Sequence, residues 1–417
     1  MIRLRHMLRM APSAGEIEGL ASDDDVTFAP MEALADGVGG LDVSATRPLR
    51  DVAAGSYNYF RNGDVLVAKV TPCFENGKKA LAADLKNGVG FATSEVHVLR
   101  PDPNKLDDRF LLYLLSSEDF RADGMRSMTG AGGLKRVSDA AILNYRLKIR
   151  VLATQKRVAA FLDRETTRID ELIAKKERLV DVLKENLLSE LERLVTPEEH
   201  IHEELIPFRW VCRITEGQVD PTQPGWTNKP LIAPNHIESR TGRLLGMESA
   251  AEQGAISGKY AFPAGTVLYS KIRPNLAKAC VSPVQGMCSA DMYPVLPDRR
   301  LRPQFLLMHL LSAKFTDWAT LESMRVAMPK INRETLGSYR LWVPALDVQD
   351  AAADKFFAEQ ARNEALTDKV KASLSHLREY RSALITAAVT GQIDVETYGK
   401  EGTASASLDR IEEEMQI

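Results

Sequence analysis

Cysteine and tryptophan are scarce in this 417-residue chain, four of each, and Cys73, Cys212, Cys280 and Cys288 form no C-x₂-C pair. That scatter excludes the common structural zinc sites and a disulfide framework, so reduced, mostly buried thiols are expected. No apolar run approaches the roughly 18 residues that span a bilayer. Basic residues interrupt the opening "MIRLRHMLRMAPSAG", which makes it a poor secretory signal and the cytoplasm the expected compartment. Also missing are a G-x-x-x-x-G-K-[ST] loop for nucleoside triphosphates and the N-P-P-[YF] or D-P-P-[YF] tetrapeptide with which an adenine methyltransferase holds its target amine. Serine, histidine and aspartate are not grouped in a way that licenses a triad. His200 and His202 stand two apart in an acidic stretch, a setting that suits a solvated linker better than a metal site.

What is present is a repeat. "GDVLVAKVTP" (63–72) matches "GTVLYSKIRP" (265–274), "FLLYLLSS" (110–117) answers "FLLMHLLS" (305–312), and from Tyr145 and Tyr339 onward the two copies keep an offset of 194. Each copy reads as short β-type runs followed by a helical segment, then about 40 residues without Gly or Pro, near 153–195 and 349–390. In the first long segment Leu162, Ile169, Leu172, Leu179, Leu183, Leu187, Leu191 and Leu194 form an apolar seam; Phe356, Leu366, Val370, Leu374, Leu377, Leu384 and Ala388 form its partner. Such helices, about 60 Å long, outreach one compact domain, and pairing antiparallel with each other is the economical way to cover their stripes. The expected architecture is α+β: two pseudo-two-fold-related α/β heads, 1–150 and 201–347, joined by helices within 151–200 and 348–396, with an acidic tail over 397–417.

Charge follows the same partition. Net charge is −3 overall, yet residues 1–150 balance, 205–347 are basic by six, and 151–204 and 348–417 are acidic by four and five. Acidic helices repel phosphate and suit a protein partner; neutral or basic heads can approach it. The stretch "GDVLVAKVTPCFENGKKA" (63–80) raises the question of a nuclease, with Asp64 and Glu75 among lysines. Its twin argues otherwise, because Asp64 aligns with Thr266 and the region of Glu75 with the acid-free "NLAKA". Lysines and asparagines recur where carboxylates do not, a pattern suited to phosphate and base-edge contact.

Longer motifs carry a resemblance. "AAFLDRETTRIDELIAKKERLVDVLKE" (159–185) is similar to the spacer helix of the specificity subunit of type I restriction-modification systems. "RSALITAAVTGQIDV" (381–395) resembles that family's C-terminal signature, and "TGRLLG" (241–246), "ISGKYAFPAGTVLYSKIRPNLAKA" (256–279) and "CSADMYPV" (288–295) its target-recognition domains. The resemblance runs over almost the whole chain to about residue 397. It implies a DNA-binding scaffold with no catalysis and no cofactor of its own, S-adenosylmethionine, ATP and Mg belonging to partner subunits. Each head would read one half of a split asymmetric target in double-stranded DNA. The spacer helices would set the half-site separation and dock two methyltransferase subunits, to which motor-nuclease subunits attach. The second helix, "AAADKFFAEQARNEALTDKVKASLSHL" (351–377), lacks the F-L-D-R-E-T and I-D-x-L-I motifs of the first, so docking there would be weaker or differently specified.

DNA contact is therefore expected from Lys69, Thr71, Asn76, Lys78, Lys79, Lys135 and Arg136 in the first head, and from Lys271, Arg273, Asn275, Lys278, Arg325, Lys330 and Asn332 in the second. Methyltransferase contact is expected near Arg164, Arg168 and Glu171. Two other readings fit parts of the pattern: a coiled-coil adaptor with two ligand-binding heads and no DNA, and a single-chain restriction enzyme with hidden catalysis.

Overall fold

The computed structural model describes residues 1–9, 14–36, 39–131, 133–148, 150–197, 205–324 and 329–398. It divides into two compact units, Met1–Lys176 with Lys371–Ile417, and Glu177–Val370. The two long helices, Leu152–Val195 and Leu346–Thr390, each contribute part of their length to both units.

In the first unit, Val65–Ala68 is the middle strand of an antiparallel sheet, with Lys79–Leu81 on one side and Val96–Leu99 on the other. All four of its residues are buried, and the period-2 alternation of a strand sends them to different cores. Val65 and Val67 join the cluster built with the helix Asp108–Leu114 and the long helices, while Leu66 joins the cluster against the other sheet. That second sheet runs in the order Thr46–Pro48, Asp25–Ala29, Val89–Ala92, Asn58–Arg61, with its central pair parallel.

The second unit repeats the plan. Val267–Ser270 lies between Ala279–Val281 and Met292–Pro297; Val267 and Tyr269 face the helical cluster, and Leu268 faces the other way. Its other sheet again has a parallel central pair, Pro230–Ile232 with Gly286–Cys288. Aligned residues recur in aligned bonds. Tyr145 O accepts from Leu4 N at 2.9 Å, and Tyr339 O from Phe208 N at 2.7 Å. Gln155 takes Asp107 N and gives its amide to Lys105 O and Arg150 O; Gln349 does the same with Arg302 N, Arg300 O and Pro344 O. Both glutamines are buried, and each satisfies its amide with three backbone groups.

Within each unit the two long-helix portions run antiparallel. In the first, Arg381 pairs with Asp170 at 2.8 Å, and Leu162, Ile169 and Leu172 share a core with Leu377, Leu384, Ile385 and Ala388. In the second, Lys355 reaches Glu190 at 2.7 Å and Asn363 reaches Leu183 O at 3.4 Å. The apolar seam differs from the sequence reading at two places. Leu179 is 36% and Leu366 39% exposed, whereas Val180 is buried. Consecutive helical residues point about 100° apart, and the buried face continues from Ile169 through Lys176 to Val180, at steps of seven and four, leaving Leu179 beside it.

His309 sits in the second unit's main helical core with Nε2 3.0 Å from Trp342 O, and burial pushes the imidazole down to about 4. Its unfolded counterpart titrates near about 6.5, so the unfolded chain binds the extra proton between those values. This stability is therefore complete above about pH 6.5 and declines as pH falls toward 4, at no more than about 1.4 kcal/mol per pH unit. Amide exchange in Pro303–Leu311 followed from pH 7 to 5 should lose protection, and His309→Leu should flatten that loss; an equal slope in the variant would refute the assignment.

Candidate nucleic-acid interface

Asp64 is not free for chemistry. Its carboxylate takes Nε and Nη2 of Arg100, each at 2.7 Å, and the Arg61 N–H at 2.9 Å; Arg100 is bound on its other side by Glu16 at 2.6 Å. Hydrogen bonds from Arg100 hold the Glu16 carboxyl below its ordinary value. Glu75 is exposed, and no group of three or more His, Cys, Asp or Glu able to hold a metal occurs among the described residues.

The fold does gather several of the expected contact residues of the first unit. Strands Thr129–Ala131 and Leu134–Arg136 form a two-stranded ribbon whose second strand is exposed throughout. Thr71 fastens it: Thr71 N donates to Lys135 O at 3.0 Å, Thr71 Oγ1 donates to Gly133 O, and Lys135 N donates to Thr71 Oγ1. Gly130 and Gly133 both have positive φ, which the tight return of this ribbon requires. Lys69 follows the buried strand and holds Glu95 O and Val137 N through its backbone. Glu95 then pairs with Arg136 through two parallel bonds, and these keep its carboxyl below the ordinary range. The arrangement sets the exposed Lys135 beside the planar Arg136 guanidinium along one edge, with the Thr71 hydroxyl spent on holding the ribbon.

The second unit has the same frame. Lys271 N donates to Asp291 O, Ile331 N to Lys271 O, and Arg273 N to Pro329 O. Lys330, Arg273 and Asn275 are exposed, Lys271 lies 5.4 Å from the Tyr293 ring centroid, and Arg325 falls outside the described residues, as do His200 and His202.

Other expected contacts have work inside the fold. Lys79 is 2% exposed with Nζ on Gly77 O at 2.8 Å, and burial pushes its ammonium down to about 7. An ammonium so enclosed does not reach a phosphate in this conformation, which corrects the sequence reading for that residue. Lys78 Nζ donates to Leu34 O at 3.0 Å, and Lys278 Nζ to Pro234 O at 2.7 Å, so the recurrence of this lysine has a structural cause. Asn332 caps the helix Arg333–Ser338 by accepting from Thr335 N, as Ser138 caps Asp139–Leu143. Asn76 is exposed. On the first long helix Glu171 is exposed, Arg164 pairs with Glu165 and lies 5.5 Å from the Phe161 ring, and Arg168 is half-buried.

Sequence reading missed His97 and Asp139, which meet at 2.6 Å although 42 positions apart, with His97 Nε2 3.1 Å from Val137 O. Burial pushes this imidazole down to about 4, against the pull of Asp139. A partial signal was available: at the offset of 194, Asp139 aligns with Arg333, a reversal of charge just ahead of the matched Tyr145-Arg146-Leu147 and Tyr339-Arg340-Leu341.

Residues 53–180 match the family model of the type I restriction modification DNA specificity domain. The chain is 32% identical over 190 residues to the EcoDI type I restriction enzyme specificity subunit of Escherichia coli, covering 44% of this chain and 42% of that one. It is 34% identical over 152 residues to the EcoAI specificity subunit of the same species, covering 36% and 26%. These alignments thus span less than half the length of the curated relatives. In fold, it matches a chain of a solved type I R-M system at TM-score 0.75 and 16% identity over 94% of this chain and 97% of that chain. The HsdS subunit from Thermoanaerobacter tengcongensis matches at TM-score 0.59 and 16% identity over 94% and 96%. Among the described residues no helix is long and apolar enough to cross a membrane.

Proposed function

We propose that this chain, which is similar over part of its length to type I restriction-modification specificity subunits, is the DNA-reading scaffold of such a complex. Each unit reads one half of a bipartite, asymmetric target, the long helices fix the half-site separation, and they dock two methyltransferase subunits that in turn carry motor-nuclease subunits. Catalysis, with its S-adenosylmethionine, ATP and Mg, belongs to those partners.

One observation carries the reading. A single backbone framework is used twice and presents cations at the same place, Lys69 with Arg136 and Lys271 with Lys330, while neighbouring side chains differ, as in Asp139 against Arg333. Shared cations suit phosphate, which is the same in every sequence; divergent neighbours suit different bases. Exposed Arg164 and Glu171, with Arg168, lie at helical steps of four and three along the first long helix and so share a face for a partner.

Co-expression with the methyltransferase subunit tests this directly. Specific duplex binding should weaken steeply with salt, and reversing charge at Arg164 and Glu171 together should abolish co-purification while leaving the chain folded. Duplex affinity that is flat with salt would favour the adaptor reading, and cleavage or methylation by the purified chain alone would favour the single-chain enzyme.

A further inference from the structure

The two units fill one corresponding spot differently. Strand registers make Asn58 the counterpart of Tyr260 and His97 that of Tyr293, because Phe60 and Phe262 oppose Gly90 and Gly286, and Val67 and Tyr269 oppose His97 and Tyr293. Asp139 corresponds to Arg333 at the offset of 194. In the second unit the Arg333 guanidinium lies 5.7 Å from the Tyr260 ring and 5.5 Å from the Tyr293 ring, tied down by Glu216 and Thr215 O. In the first unit Asn58, His97 and Asp139 instead line an open cleft of about 620 Å³, a size that suits a small ligand.

The remaining wall is cationic and aromatic. Arg5, Arg9 and Lys69 line it together with Tyr57 and Tyr59. Among the described residues none of these three cations forms a salt bridge; Arg5 donates to the neutral Asn144 amide oxygen. Arg100 also borders the cleft but is paired with Asp64 and Glu16, and the acid on this wall, Asp139, meets a neutral His97 and keeps its charge against the three cations. The free balance is positive, with ring surface and hydroxyls beside it.

We propose that this cleft binds the phosphate of a nucleotide unit, Arg9 and Lys69 holding the phosphate oxygens and the tyrosines facing the sugar and base. The phosphate comes either from the DNA backbone, in which case the inference rests on the DNA-reading function above, or from a free mononucleotide. In the second unit the Arg333 guanidinium, beside two tyrosine rings, takes the position that Asp139 holds here.

The full chain is titrated with specific duplex over a salt series and separately with dTMP and inorganic phosphate by calorimetry, as wild type, Arg9→Gln and Asn58→Tyr, the last importing the second unit's ring. A backbone seat predicts that Arg9→Gln lowers the salt slope by about 1. A mononucleotide seat predicts that either variant removes the heat of dTMP binding. Unchanged salt slope together with unchanged response to dTMP and phosphate in both variants overturns the proposal. Duplex binding that depends on Lys135 and Arg136 but not on Arg9 or Asn58, with no dTMP binding, removes the cleft alone. A wild-type chain that takes dTMP in an Arg9-dependent way but never binds duplex supports the cleft and sinks the DNA-reading function.

Discussion

Asp64→Ala should cost the first unit about 1–3 kcal/mol, the penalty for leaving buried hydrogen-bond donors without their acceptor. Asp64 is 1% and Arg100 6% exposed, so after truncation the guanidinium keeps only Glu16 and loses both bonds to Asp64. Amide exchange on the full chain reads this locally: protection should fall in Val65–Ala68 and Val96–Leu99 and persist in Val267–Ser270. The second unit supplies the control, since Thr266 and Leu296 occupy the corresponding positions and need no ion pair. Asp64→Thr/Arg100→Leu should accordingly retain more protection than Asp64→Ala. A single variant as well protected as wild type would show that the network contributes nothing.

Arg136→Ala in the assembled complex should weaken specific duplex binding by about 1–3 kcal/mol, and Lys135→Ala should lower the salt slope by about 1 across all sequences. The ribbon that carries them is pinned by Thr71, and Glu95 orients the Arg136 fork, so the loss comes from the contact and not from a loosened loop. Mapped methylated adenines should show relaxed selection at one position of one half-site in Arg136→Ala cells, with the other half-site unchanged. Lys79→Met is the counter-test: its ammonium is enclosed, so the slope should stay at the wild-type value. A drop as large as that of Lys135→Ala would mean that Lys79 swings out, and the assignment of the ribbon would lose its support.

Sequence alone reveals the duplication, the α+β units and both long helices, because apolar periodicity and a constant offset survive in one dimension. Tyr145 and Tyr339, or Gln155 and Gln349, are aligned by counting and then found in matching bonds. The candidate interface is less legible. A recurring lysine reads the same whether it faces a phosphate or a carbonyl, and Lys78 and Lys278 turn out to hold Leu34 O and Pro234 O. Lys79 looks like Lys78 in sequence, yet neighbouring strand residues point to opposite faces, and one of the two is enclosed. Asp139 and His97 come together only because the segment after the ribbon returns to the edge of the strand Val96–Leu99.

The paired glutamines also set a rotational phase. Each ties the first turn of a long helix to the loop ahead of a preceding helix, so the angle at which that rod starts is fixed by its globular neighbour. One extra residue inserted between Gln155 and Leu162 would swing everything downstream by about 100° and turn Ile169 and Leu172 away from Leu377. Length changes in this helix are therefore tolerable in whole turns only, so its register against the antiparallel partner moves in steps rather than continuously.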